Sequence, residues 1–140
     1  MTNAPIPTLE TIESDFSFLD DWEDRYRYVI ELGRALLPLD PSEKTSENKV
    51  RGCASQVWLV AERGDGAKLR FRGESDAHIV QGLIAILLSI YDDKTAAEIT
   101  AIDAHGILRG LGLDEHLTPQ RSNGLKSMIE RIRTVASGEA

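Results

Sequence analysis

Apolar residues recur at helical spacing in three stretches of the chain, and between the first two the pattern changes to short apolar or alternating runs. Trp22, Tyr26, Val29, Ile30, Gly33, Leu36 and Leu37 lie three or four apart, the stripe of an amphipathic helix. Asp20 or Asp21 can cap its start, because a short side-chain oxygen there satisfies orphan N–H groups. Pro38 and Pro41 end it. Residues 8–16 predict a shorter helix ahead of it, and the polar run 39–48 reads as an exposed loop. Residues 57–61 are apolar and β-rich, and residues 68–72 alternate polar with apolar. Gly64-Asp65-Gly66 between them suits a hairpin turn, since these residues tolerate positive φ. Residues 49–51 are expected to add a short third strand.

Ser75 is expected to cap a helix over about residues 76–91. Ile79, Val80, Leu83, Ile84, Ile86, Leu87, Leu88 and Ile90 cover most of its circumference, so it should be central and buried. Gly82 in its interior costs about 1 kcal/mol against alanine, which points to close packing. Thr95 and Glu98 form a capping-box pattern. Residues 106–112 read as a short glycine-bounded helix. Thr118-Pro119 starts a last helix, with Leu125, Met128, Ile129, Ile132 and Val135 on one face. Residues 138–140 are expected to fray. Helices, a small antiparallel sheet of about three strands, then helices make an α+β arrangement, with helices on one face of the sheet. There is no repeat or linker, so residues 1–140 read as a single domain.

The net charge of −7 argues against nucleic-acid binding, which relies on neutralising phosphates. Residues 1–47 carry 11 acidic and 4 basic side chains, and residues 48–140 carry 12 of each, so the whole excess lies in the N-terminal third. It is a solvated acidic face or an aid to partner choice. Residues 1–7 show no signal-peptide pattern. The most apolar stretch, 79–90, is too short for a membrane span, which needs about 20 residues. A soluble, cytoplasmic protein is expected.

The single cysteine, Cys53, excludes an internal disulfide and a CxxC redox motif. It also disfavours an iron–sulfur scaffold, whose clusters need several thiolates. His78, His105 and His116 lack ligand spacing, so no metal site and no cofactor are expected. Free cysteine is commonly buried and inert. Here Gly52 allows a sharp turn beside the thiol, and Lys49 and Arg51 bring positive charge that favours a thiolate. Sulfur held on Cys53 would meet no resolving thiol in the same chain.

Gly52-Cys53-Ala54-Ser55-Gln56-Val57-Trp58 resembles the thiol motif of the SufE family of sulfur acceptors. The resemblance extends to Tyr26 through Gly33, to Gly73 through Val80 with the Gly82 segment, and to His116 through Leu125. It implies a SufE-like fold related to the IscU-type scaffolds, with monomers or weak homodimers. It further implies that a pyridoxal-phosphate-dependent cysteine desulfurase is the partner and that Cys53 takes the desulfurase's persulfide sulfur. The acceptor thereby stimulates the desulfurase and passes sulfur to an iron–sulfur scaffold complex, as a covalent carrier and not a stand-alone enzyme. By resemblance the resting thiol can tuck into an apolar cavity, the loop then moving to expose it, and Trp58, Val57 and the central helix are expected to supply apolar walls that shelter the persulfide between deliveries. Arg121, by resemblance, lies near the thiol loop to aid docking or stabilise the thiolate. Gln56 and Asp76 are similar candidates, with Asp76 also readable as a first-turn helix carboxylate. Arg51, Gly52 and Ser55 complete the set that supports the thiol or meets the partner. A non-covalent adaptor and a peroxide-sensing thiol are the alternatives.

Overall fold

A computed structural model describes residues 6–138. Helix α1 (Leu9–Ser17) is capped by Thr8, and α2 (Trp22–Arg34) by Asp21, whose carboxylate accepts from the Glu23 N–H. Strands β1 (Val57–Arg63) and β2 (Lys68–Ser75) form an antiparallel hairpin, with Val57 opposite Ser75 and Arg63 opposite Leu69. Helix α3 (His78–Tyr91) follows, then β3 (Lys94–Thr95), α4 (Ala96–Ala101), α5 (Ala104–Gly110), α6 (Leu113–His116) and α7 (Pro119–Ser137). The architecture is α+β, with seven helices and a three-stranded antiparallel sheet among the described residues.

The third strand is not where the sequence pattern suggested. Lys49 makes only an isolated bridge to Trp58, and the third strand is β3, paired with the start of β2. A two-residue strand carries no alternation that could announce it. The loop 39–48 is mostly exposed, as its polarity implies, but it is anchored at its start. Leu39 is buried, and its N–H donates to Glu74 at 2.8 Å. A short 3-10 turn, Pro41–Glu43, puts Glu43 on the Arg72 guanidinium, which also holds Glu62 at 2.5 Å. That cation holds the Glu43 carboxyl down at about 2. The short helix expected over 106–112 starts earlier, because Asp103 caps it through the Gly106 N–H. Of the residues expected to fray, Gly138 caps α7 at a φ of 81° and the last two lie outside the described residues.

Eleven of the fourteen α3 residues are buried. One side of α3 meets α2 and another meets β2, which explains an apolar surface that runs round the helix. The approach to α2 is backbone on backbone. A Cβ at Gly82 would lie 2.0 Å from the Val29 carbonyl oxygen, and one at Gly33 would lie 2.6 Å from the Gly82 nitrogen. Farther along, Trp22 at the start of α2 stacks on His116 with ring centroids 3.9 Å apart, tying α2 to the segment that leads into α7. No described helix is long and apolar enough to cross a membrane.

Gly82→Ala is expected to destabilise the fold by about 1–3 kcal/mol or more, because overpacking outweighs the gain in helix propensity. Gly110→Ala, where an added Cβ meets nothing within 4 Å, is expected to stabilise by up to about 1 kcal/mol. Denaturant midpoints at constant slope check both.

Candidate functional site

The thiol loop is closed at its base by strand-like pairing. The Val50 N–H donates to the Val57 carbonyl at 2.8 Å, and the Leu59 N–H to the Asn48 carbonyl at 2.9 Å. Residues 51–56 therefore form a tip that projects from the start of β1. Gly52 has φ 88°, a conformation that favours glycine, and any side chain there would meet Ser127 Oγ at 2.5 Å. The tip is thus pressed onto α7.

Cys53 is half-buried beneath the tip. Its Sγ–H donates to the Gly124 carbonyl oxygen at 3.5 Å. Around the sulfur lies a small cavity walled by Val80 and Leu83 of α3, by Gln120, Arg121, Gly124, Leu125 and Met128 of α7, and by Ala54 and Ser55 of the loop. The room it leaves for a water-sized sphere is about 10 Å³. Burial pushes the thiol pKa up, because a thiolate loses its hydration in such surroundings. Lys49 and Arg51 were expected to favour the thiolate; in this resting arrangement burial decides instead. Arg51 is exposed and lines an open groove with Lys49, Ser127 and Arg131.

Two side chains hold the tip from outside. Arg121 Nη1 donates to Ser55 Oγ at 2.8 Å, and Arg121 is placed by the α7 cap, its N–H donating to Thr118 Oγ1. Asp76 accepts from the Gln56 N–H at 3.0 Å, while its own N–H donates to the Gln56 carbonyl at 3.2 Å. Asp76 is therefore not a first-turn carboxylate. The helix begins at His78 after Ala77, and Ser75, expected as the cap, ends β2 and accepts from the Ala77 N–H at 3.2 Å. The turn between β2 and α3 uses Asp76 to hold the neighbouring loop.

The structure brings Gly52, Cys53, Ser55, Gln56, Asp76 and Arg121 into one cluster and leaves Arg51 on its rim. Trp58 and Val57, expected as cavity walls, are not among the lining residues; the Lys44 ammonium lies 5.5 Å from the Trp58 ring centroid instead. Strand alternation turns successive residues to opposite faces, so proximity in sequence to Cys53 did not place Trp58 beside it. Gly124 and Ser127 were not singled out from the sequence. A glycine inside the apolar stripe of α7 was the available signal, the same one that marked Gly82. Among the described residues no group of three histidine, cysteine or acidic side chains could hold a metal ion.

The model of the SufE family, described as the Fe-S metabolism associated domain, matches residues 10–136. An uncharacterized SufE-like protein of Rhizobium meliloti is 58% identical over 134 residues, covering 94% of this chain and 96% of that protein. Another from Rhizobium etli is 57% identical over 136 residues, covering 95% and 92%. A solution structure of a hypothetical protein from Thermus thermophilus superposes with a TM-score of 0.75 at 22% identity, over 99% of this chain and 98% of that one. This last likeness is one of fold.

Alkylation of Cys53 by iodoacetamide is expected to be slow in the folded protein, with a pH midpoint above that of a free thiol. Ser55→Ala or Arg121→Ala should speed it several-fold by freeing the tip. The raised thiol pKa also has a sign in stability. The folded state holds the proton more tightly, so its contribution is complete below the unfolded thiol pKa and is lost as pH rises through the folded value. Unfolding midpoints measured across that alkaline window should fall more for the native protein than for Cys53→Ser.

Proposed function

The chain belongs to the SufE family of Fe–S metabolism, and from that premise we propose that it is a cytoplasmic sulfur acceptor that works with a pyridoxal-phosphate-dependent cysteine desulfurase. Cys53 takes the desulfurase's persulfide sulfur, stimulates the desulfurase by clearing it, and delivers the sulfur to an iron–sulfur scaffold complex. The observation that carries this reading is the seating of the chain's one thiol. It lies on a loop tip held by a few hydrogen bonds over a small apolar cavity.

In the transfer, the Cys53 thiolate attacks the terminal sulfur of the donor persulfide. A new S–S bond forms to Cys53, the donor's S–S bond breaks, and the donor cysteine leaves as a thiolate. The terminal sulfur keeps its proton, giving Cys53–S–SH. The closed tip cannot do this, because the sulfur faces Gly124 and its thiolate is disfavoured. The tip has to swing out, releasing the contacts to Gly124, to Arg121 and to Asp76. At about 0.5–1.5 kcal/mol net for each ordinary hydrogen bond, the opening costs a few kcal/mol, within reach of a docking partner. Outside, water and the cations Lys49, Arg51 and Arg121 favour the thiolate. Arg121 and Asp76 serve as the two holds that set how readily the tip leaves.

Mixing the protein with a cognate desulfurase and cysteine is expected to add one sulfur atom to Cys53, read by intact mass and lost on reduction. An unchanged mass would reject the covalent reading. Cys53→Ser should remain folded yet lose stimulation of the desulfurase; a variant that still stimulates would establish a non-covalent adaptor instead.

A further inference from the structure

The position that Cys53 Sγ occupies suits an S–H better than an S⁻. A thiol donates to the Gly124 carbonyl at 3.5 Å, whereas a thiolate there would face the oxygen's lone pairs. The walls contributed by α3 are Val80 and Leu83, and α7 adds Leu125 and Met128, none of which can solvate a charge, beside Gly124 and the neutral amide of Gln120. The loop's own wall residues, Ala54 and Ser55, are uncharged. The charged side chain on the lining is Arg121, and its Nη1 donates to Ser55 Oγ. Asp76 faces the Gln56 N–H and carries the opposite sign. The net result is a thiol held in its protonated form.

Room is equally restricted. The room for a water-sized sphere, about 10 Å³, sits at the lower limit for one water molecule, and a sulfur atom is larger than a water oxygen. A persulfide S–SH is also a stronger acid than a thiol, because the charge left behind rests on a polarisable terminal sulfur bonded to a second sulfur. At neutral pH the loaded side chain is therefore both longer than the empty one and more readily anionic.

We propose that the cavity under the thiol loop accepts Cys53 only as a neutral, unextended thiol, so that a second sulfur atom holds the loop out until it is handed on. This rests on the sulfur-acceptor reading above and adds a regulation to that same site. The empty carrier closes onto Gly124 and is inert. The loaded carrier stays open, with Ser55 and Gln56 released from Arg121 and Asp76, and presents a surface that the empty carrier lacks. A downstream acceptor can thus distinguish the two without testing for sulfur directly.

The methyl groups of Met128 and Leu83, which wall the cavity, report its occupancy by NMR. Cys53 is loaded chemically with inorganic polysulfide, the gain of one sulfur atom is verified by intact mass, and the methyl shifts are compared with those of the unloaded protein. At neutral pH the loaded protein is expected to show the Met128 and Leu83 shifts that the unloaded protein reaches only when alkaline pH ionises its thiol. Reduction should restore the closed signals. Loaded protein that keeps the closed signals, or methyls that stay unmoved while the free thiol ionises, overturns the proposal. Because the sulfur is supplied without a desulfurase, failure of a desulfurase to load Cys53 would reject the acceptor reading and leave this result standing.

Discussion

Gly82 and the carbonyl of Val29 are so close that no side chain fits between them, and the α3 side of the thiol's surroundings depends on that contact. It brings α3 against α2 until the two backbones touch, and β2 covers α3 from another direction. A helix enclosed in this way cannot slide or turn without opening gaps, since protein interiors are packed like solids. Its first turns are then fixed in space. They hold Val80 and Leu83 under Cys53, and the turn just before them presents Asp76 to Gln56. The same close-contact device recurs at the site, where a side chain on Gly52 would run into Ser127 Oγ. Where two elements must approach within backbone distance, a missing side chain is the simplest solution.

On the proposed function the site joins two opposed requirements. A sulfur carrier needs a nucleophilic thiolate, and the resting protein holds a thiol whose ionisation is suppressed by burial. The conflict is removed by placing the group on a tip whose base is fixed and whose end is lightly held. The base is tied into the sheet through the Val50–Val57 and Asn48–Leu59 pairs. The segment before it is fastened to β2 by the partly buried Glu43–Arg72 pair and by Lys44 with Glu74. The opening proposed above is thereby confined to residues 51–56. Reactivity becomes a property of the loop's position, and the energy needed to change it is the size of a few hydrogen bonds, not the size of the fold's stability.

Much of this was legible in the sequence, for reasons that differ by residue. The amphipathic stripe of α2, the all-round apolarity of α3 and the Thr95–Glu98 capping box are local patterns, set by helical period and by orphan N–H groups within one turn. They identified elements and core correctly. Cys53 stood out as the candidate because it is alone and stands beside Gly52 in a recognisable motif. Ser75 and Asp76 were misread for a local reason as well. Either can cap a helix, and the competing partner, the Gln56 backbone, lies twenty residues away.

The sequence by itself determined the longer helices and the β1–β2 hairpin, that the core centres on α3, and that one thiol carries any cysteine chemistry the chain performs. These follow from short-range periodicity and from residue identity. Only the tertiary structure decided that Gly124 would accept the thiol proton, that Arg121 would reach Ser55 across 66 positions, and that burial would prevail over the cations of Lys49 and Arg51. Those outcomes depend on distances between elements far apart in the chain. Desolvation and hydrogen bonding fall away within a few ångströms, so no linear pattern contains them.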